Sequence, residues 1–215
     1  MSDHEHVTAV PLGPFQTNAY IVTGPADPSV CWIVDPGMDP GPLVHLIHDR
    51  GLTPQGILLT HAHLDHIAGI PDVQAAFGEL GVRLHELEHR WPGDPELNLS
   101  AGFGLPISIA EPTGSLTEGD QLELAGLIWD VSHTPGHSPG SVTLYCAEIA
   151  SLIAGDTLFA GSIGRHDFPT SDGEQLFDSI RTKIYSLPDE TRVLPGHGPE
   201  TTVGQEKHAN PFVRP

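Results

Sequence analysis

Basic residues, cysteines and long apolar runs are all scarce in this chain, and each scarcity excludes a class of protein. Nine lysines and arginines stand against 28 aspartates and glutamates, giving a formal net charge of −19. Such a surface repels phosphate backbones, so we expect no nucleic-acid partner. No apolar run approaches the roughly 18 residues of a membrane span, and the N-terminal "MSDHEHVTAV" lacks the regions of an export signal. We therefore expect a cytoplasmic protein without a membrane partner.

The two cysteines are too few for a disulfide framework. Cys31 and Cys146 lie in apolar strand-like runs, and they would pair only if the fold brought them together. We expect both to be buried free thiols. The 24 glycines and 21 prolines, with 38% hydrophobic and 17% charged residues, are typical of a folded domain with many turns. The length favours a single domain over residues 1–215.

Apolar strand-like runs alternate with helical patterns along the chain. Strands are predicted at 17–23, 29–35, 56–60, 81–85, 127–134, 141–147, 151–156 and 191–196, and helices at 41–51, 70–81 and 174–187. A capping box of Ser171 and Glu174 begins the last helix, and Pro188 ends it. Because several strands are continuously apolar, the pattern indicates an α/β fold with sheets inside and helices outside.

The stretch "ILLTHAHLDHIAGI", residues 57 to 70, places four metal-binding side chains directly after an apolar strand. They are His61, His63, Asp65 and His66, and we expect them on a loop at the strand terminus. Histidines at positions i and i+2 can turn toward one point, while the aspartate and histidine that follow curl around a neighbouring point. Imidazole and carboxylate groups are common metal ligands. This turn is therefore predicted to serve two adjacent cations.

Three more candidate ligands follow apolar strands in the same way. They are His137 in "SHTPGHSPGS", Asp156 in "SLIAGDTLF" and His197 in "RVLPGHGPE". Glycine and proline on either side fix tight turns that aim each side chain outward. Together the candidates predict a metal site assembled from four strand ends.

The ordered motifs "THAHLDH", "TPGHSPGS", "AGDTLF" and "LPGHG" resemble the metallo-β-lactamase fold superfamily, and "GSIGRHDFP" at 161–169 resembles its glyoxalase II-like branch. The resemblance extends from "TNAY" at residue 17 to "ANP" at 209–211. It implies an αββα sandwich of two central sheets flanked by helices, with the metals at one edge of the sheets. It also implies the ligand sets: His61, His63 and His137 for one metal, Asp65, His66 and His197 for the other, and Asp156 as the bridge.

The chemistry of the ligands agrees with that assignment. A carboxylate has two oxygens and can span cations about 3.5–4 Å apart, whereas an imidazole offers one nitrogen to one metal. Since a bound metal lowers the pKa of water to about 7, we expect a metal-bound hydroxide as nucleophile, with Asp65 and Asp156 as catalytic carboxylates. The predicted cofactors are two divalent ions, with zinc favoured and iron or manganese as alternatives. No residue is assigned to an organic cofactor.

Two further residues have two interpretations each. Asp35 in "IVDPG" either orients a ligand histidine or forms an Asp-Pro-Gly turn. Arg165 either contacts substrate or pins its loop by pairing with Asp167.

The segment "HELEH", residues 85 to 89, matches a zinc-protease pattern that requires a helix. It follows a strand-like run and soon meets "WPGDP", which leaves too little helix to place both histidines on one face. We expect no metal site there.

The resemblance implies a two-metal hydrolase of glyoxalase II type that cleaves a small thioester, such as a hydroxyacyl-glutathione, to an acid and a thiol. Because the chain ends soon after His197, we do not expect the C-terminal helical domain that glyoxalase II uses for glutathione. Persulfide dioxygenases, which use one iron, carry similar motifs, and His61, His137 and Asp156 would then bind that iron. A non-catalytic metal-binding domain is the third interpretation.

Overall fold

The structure is a computed structural model and describes residues 6–215, which fold into two compact units. The first unit comprises the chain up to Leu116 together with Glu123–Leu127, and the second comprises Thr117–Leu122 together with Ile128–Pro215. A six-stranded sheet forms the centre of each unit. The single domain over residues 1–215 stays a prediction.

The first unit carries its strands in chain order across one sheet. They are β1 (Val7–Leu12), β2 (Thr17–Val22), β3 (Val30–Val34), β4 (Thr53–Leu58), β5 (Val82–His85) and β6 (Gly114–Leu116). The first three strands pair antiparallel, and β3 to β6 pair parallel. Parallel neighbours require crossover connections. Helix α1 (Gly41–Asp49) provides one crossover, and α2 (Leu64–Ile67) with α3 (Ile70–Phe77) provides the next.

The core of the first unit lies between its sheet and these helices. Leu43 and Ile47 of α1 and Val73 of α3 are fully buried, and they belong to one apolar cluster with Ile33 and Ile57 of the sheet. Burying such side chains stabilises the unit by about 1.5–3 kcal/mol each. The ends of β3 and β4 are thereby fixed, and both run directly into the candidate site.

The second unit has mixed strand directions and a different strand order. Its strands are the first half of β7 (Gln121–Leu124), then β8 (Leu127–His133) from Ile128 onward, β9 (Val142–Cys146), β10 (Ser151–Gly155), β11 (Leu158–Phe159), β12 (Ser162–Ile163), β13 (Arg192–Pro195) and β14 (Thr201–Thr202). The sheet has the order β14-β13-β10-β9-β8-β7, and β11 and β12 form a separate hairpin. Strands β10 and β13 pair parallel, whereas β8 with β9, β9 with β10 and β13 with β14 pair antiparallel. Helices α4 (Gly173–Ser179) and α5 (Val203–Ala209) complete the unit.

The predicted strands and helices are present, with one correction at the last predicted helix. Asp172, rather than Ser171, is the N-cap of α4, and its Oδ1 accepts a hydrogen bond from the Gln175 amide at 3.0 Å. The helix continues after Ser179 as a π-helical turn, Ile180–Ile184. Ser171 is diverted from capping because its hydroxyl donates to the His137 carbonyl at 2.7 Å. The cap failed as a prediction because a tertiary contact competes for the serine.

Both cysteines are buried and free, as predicted. Desolvation raises the pKa of Cys31 to about 12 and also raises the pKa of Cys146. Between residues 6 and 215, no helix has both the length and the apolar composition that a bilayer span requires. The expected cytoplasmic location stays a prediction.

Candidate metal centre

Four candidate ligands of the first unit follow the buried end of β4. His61 and His63 lie in the loop, whereas Asp65 and His66 lie on the short helix α2, a departure from the predicted all-loop placement. The three histidines are at most 3% exposed, and Asp65 is partly exposed. The ring of His61 lies 4.7 Å from that of His63 and 4.1 Å from that of His66, measured between centroids.

Asp35 accepts three hydrogen bonds at this turn, one from His66 and two from Thr60. Its Oδ2 accepts from His66 Nδ1 at 2.9 Å and from the Thr60 hydroxyl at 2.6 Å, and its Oδ1 accepts from the Thr60 amide at 2.8 Å. Asp35 is 1% exposed and has a positive φ of 50°. Positive φ is uncommon outside glycine, although aspartate tolerates it. The contact with His66, a predicted metal ligand, is present, and the role of Asp35 in orienting that ligand stays a prediction.

Thr60 extends the same network to a second histidine. Its hydroxyl donates its proton to Asp35, so its lone pair is available to accept from His61 Nδ1 at 3.1 Å. These bonds place the ring proton of His61 and His66 on Nδ1, and they leave Nε2 as the nitrogen with metal-ligand character.

Asp65 is positioned by the neighbouring strand. The Thr17 hydroxyl donates to Asp65 Oδ2 at 2.8 Å, and the same oxygen lies 3.5 Å from His66 Nε2. The turn after β3 also fits closely against α2, because a Cβ on Gly37 would lie 2.4 Å from the Asp65 carbonyl oxygen. Only glycine fits there. The ligand helix is therefore held by backbone packing as well as by side chains.

Glu88 and Trp91 support the loop between the first two histidines, and sequence reasoning missed both. The fully buried Glu88 accepts a hydrogen bond from the Ala62 amide at 2.7 Å, and the Trp91 ring lies 5.8 Å from the ring of His63. Glu88 belongs to the "HELEH" segment. The segment forms one 3-10 turn, Glu86–Glu88, after β5, so it lacks the helix that the zinc-protease pattern requires.

The candidate ligands of the second unit place one carboxylate between two imidazoles. Asp156 Oδ2 lies 3.6 Å from His137 Nε2 and 3.5 Å from His197 Nε2. His137 follows β8, Asp156 follows β10 and His197 follows β13, as the sequence predicts. These distances are close to the spacing of neighbouring ligands around a metal ion.

Backbone groups fix the orientation of His137 and Asp156. The Arg165 carbonyl accepts from His137 Nδ1 at 2.7 Å, which leaves Nε2 toward Asp156. Position 164 requires glycine, because a Cβ there would lie 1.8 Å from the Asp156 carbonyl oxygen. The segment that follows the β11–β12 hairpin is thus packed directly against these ligands.

The Arg165 side chain forms the ion pair with Asp167 that is one of its two predicted roles. It pairs with Asp167, and its guanidinium lies 4.3 Å from the centre of the Phe168 ring. Arg165 and Asp167 are 60% and 68% exposed, so solvent screens the pair and it contributes little to stability. The interaction raises the pKa of Arg165 and lowers the pKa of Asp167. A role of Arg165 toward substrate stays a prediction.

The donor chemistry of both sets suits a divalent metal. Each of His61, His66 and His137 has an oxygen partner at Nδ1, the arrangement by which proteins fix the tautomer of a metal-ligating histidine. The ligand atoms of His61 and His63 lie within 4.8 Å of each other, as do those of Asp65 and His66. Neutral imidazoles and carboxylates are ligands for zinc, iron and manganese.

The histidines and aspartates that follow the strand ends make this chain an α/β protein of the metal-binding class. More narrowly, the chain belongs to the Metallo-beta-lactamase superfamily, whose profile matches residues 12–197. The predicted fold class, α/β of metallo-β-lactamase type with sheets flanked by helices, is confirmed. The family match also supports the coarser functional prediction, a metal-dependent hydrolase.

Two curated relatives align over nearly the whole chain. The "Probable metallo-hydrolase YqgX" of Bacillus subtilis (strain 168) is 42% identical over 206 residues, covering 95% of each chain. The "Hydroxyacylglutathione hydrolase GloC" of Haemophilus influenzae is 36% identical over 211 residues, covering 97% of this chain and 98% of the relative.

Two solved structures are similar in both sequence and fold. The crystal structure of BLEG-1 B3 metallo-beta-lactamase is 45% identical with a TM-score of 0.91, covering 96% of this chain and 99% of that one. The crystal structure of TTHA1623 in a di-iron-bound form is 42% identical with a TM-score of 0.85, covering 96% of this chain and 100% of that one.

Proposed function

We propose that this chain is a two-metal hydrolase that cleaves a small thioester, such as a hydroxyacyl-glutathione, to an acid and a thiol. The proposed ligands are His61, His63 and His137 for one metal, Asp65, His66 and His197 for the second, and Asp156 between the two. The similarity to GloC, a hydroxyacylglutathione hydrolase, supports the thioester, and the similarity to the di-iron-bound TTHA1623 supports two metals. Zinc, iron and manganese all suit these donors.

The observation that carries the proposal is the position of Asp156. Its Oδ2 lies within 3.6 Å of the Nε2 atoms of both His137 and His197, which belong to different proposed metals. A mononuclear site of the persulfide dioxygenase type would use His137 and Asp156 but would give His197 no role. The central carboxylate therefore favours the two-metal assignment over the single-iron alternative.

Divalent cations at such a site lower the pKa of coordinated water to about 7 and polarise a carbonyl oxygen. The residues of the chain supply orientation. Asp35 holds the ring proton of His66 on Nδ1, Thr60 does the same for His61, and the Arg165 carbonyl does so for His137. Such hydrogen bonds also raise ligand basicity, and losing one costs about 10–100-fold in metal affinity or activity.

The reaction requires no covalent bond to the protein. A C–O bond forms between water and the acyl carbon, the C–S bond breaks, and the sulfur leaves as thiolate. One water proton reaches the thiolate, and the acid product loses the other. Asp65 and Asp156 are the carboxylates that we propose for this reaction, and Asp65 Oδ2 is held by the Thr17 hydroxyl at 2.8 Å.

β-lactam hydrolysis is the second candidate, because a solved structure 45% identical to this chain bears the name of a B3 metallo-beta-lactamase. Both reactions add water to a carbonyl carbon and expel a heteroatom. They differ in the leaving group, which is a thiolate for the thioester and an amide nitrogen for the β-lactam.

The test is a substrate panel on metal-loaded protein: lactoyl-glutathione, a chromogenic cephalosporin, and glutathione persulfide in an oxygen electrode. We expect thiol release with kcat/KM at least about 100-fold above cephalosporin cleavage, and no oxygen uptake. Asp156→Asn should lose both metal and activity, whereas Glu86→Gln, in the "HELEH" segment, should retain both. Oxygen uptake without thiol release would overturn the proposal, and preferred cephalosporin cleavage would replace it with the second candidate.

A further inference from the structure

Two phenylalanines of the first unit form an aromatic pair at the surface. The rings of Phe15 and Phe103 meet edge to face, with centroids 5.2 Å apart. Phe103 is 51% exposed and the nearby Leu105 is 46% exposed, although most large apolar side chains of this unit are buried. Exposed apolar clusters are typical of binding surfaces. We call Phe15 and Phe103 the aromatic pair.

Both halves of the aromatic pair belong to segments that are bonded to the metal-ligand turn. Phe15 lies two residues before Thr17, whose hydroxyl donates to Asp65 at 2.8 Å. Phe103 follows Asn98, whose carbonyl accepts from the Leu64 amide at the start of α2 at 2.8 Å. The pair is thus connected to Asp65 from two directions within the same unit.

Hydrogen bonds brace the two segments that carry the rings. The Gly13–Gln16 turn is closed by a Gln16 amide bond to the Gly13 carbonyl at 3.2 Å, with a positive φ at both residues. The second segment is fixed by Asn98, which is fully buried and whose side chain bonds the carbonyls of Trp91 and Pro92 at 3.1 and 3.4 Å. Rings held outward by such turns lose little conformational entropy when a ligand packs against them.

We propose that the aromatic pair contacts the acyl group of the substrate, and that the enzyme therefore prefers thioesters of unbranched apolar acids. This inference rests on the proposed thioester hydrolysis. The occupant is the acyl group because both segments that carry the pair are hydrogen-bonded to the turn that bears Asp65, and because two phenylalanines offer apolar surface and no charge for an anionic thiol such as glutathione. Alkyl chains gain affinity from the apolar area that they remove from water.

The test compares acyl chains that share one small thiol. Acetyl, butanoyl and hexanoyl thioesters of N-acetylcysteamine are assayed with the metal-loaded wild type, Phe103→Ala and Phe212→Ala. Phe212 is the matched control, since it is 56% exposed and belongs to the second unit. Each fully buried methylene is worth about fourfold in affinity. If the aromatic pair covers one side of the acyl chain, kcat/KM should rise about tenfold from the acetyl to the hexanoyl thioester.

We expect Phe103→Ala to reduce that ratio to about threefold and Phe212→Ala to leave it unchanged. An independent readout is calorimetric binding of the thioether S-hexyl-N-acetylcysteamine, which cannot be hydrolysed and which Phe103→Ala should bind several-fold more weakly. The acyl contact would be overturned by a wild-type hexanoyl-to-acetyl ratio near one. It would also be overturned if Phe103→Ala lowered kcat/KM equally for all three acyl chains. Either result would leave thioester hydrolysis intact. No cleavage of any thioester would instead refute the proposed function.

Discussion

Replacing Asp35 by asparagine inverts the hydrogen bonds that orient two proposed ligands. The carboxylate accepts three bonds: one at Oδ1 from the Thr60 amide, and two at Oδ2 from the Thr60 hydroxyl and His66 Nδ1. If the asparagine oxygen stays at the Oδ1 position, its NH₂ faces His66 Nδ1. The ring must then move its proton to Nε2, where a metal would bind. If the amide flips, the NH₂ faces the Thr60 amide instead.

Either arrangement leaves at least one buried donor unsatisfied, which costs about 1–3 kcal/mol. We expect Asp35→Asn to lower Tm by about 2–12 °C, since about 1 kcal/mol corresponds to about 2–4 °C at this chain length. Metal affinity should fall by about 10–100-fold. Asp39→Asn is the matched control, because Asp39 is exposed and also has a positive φ, 54°.

The assay is competition for zinc against a chromophoric chelator, together with thermal unfolding of the metal-free proteins. The metal-free Tm separates lost hydrogen bonds from lost metal. Asp35→Asn with zinc affinity within twofold of the wild type would refute the reasoning, whatever its Tm.

Three further changes test the packing around the proposed ligands. Glu88→Gln keeps an acceptor for the Ala62 amide and should change Tm little, whereas Glu88→Ala should lower it by several degrees; equal shifts would contradict the hydrogen-bond argument. Gly164→Ala places a Cβ 1.8 Å from the Asp156 carbonyl oxygen, so we expect lost metal or failure to fold, and full metal content at an unchanged Tm would be inconsistent with it. Cys31, with its pKa raised to about 12, should resist a thiol reagent at pH 8 until the protein unfolds. The pKa of the Cys31 thiol is 9.0 in the unfolded chain and about 12 in the folded one. The contribution of this thiol to the free energy of unfolding is therefore fully present below pH 9 and is lost as the pH rises toward 12.

Most regular elements were predictable because their signals are local. Apolar runs predict the strands that precede His61, His137, Asp156 and His197, and the motif spacing carries the resemblance. The capping box failed because Ser171 bonds the His137 carbonyl, a contact between residues 34 positions apart.

The supporting residues of the site were harder to predict because their partners are distant in sequence. Glu88 reaches an amide 26 residues away, and no local pattern distinguishes it from Glu86. Asp35 was recognised as a candidate because it ends an apolar strand, but its bonds to Thr60 and His66 span 25 and 31 residues. Thr60 itself gave no signal, since a threonine at a strand end is ordinary.

The measurement that tests the central claim most directly is elemental mass spectrometry of the purified native protein, giving metal atoms per chain. We predict about two equivalents of zinc, iron or manganese, because His197, His66 and Asp65 are the ligands proposed for a second metal. A single equivalent of iron, unchanged after incubation with excess zinc or manganese, would contradict the two-metal centre.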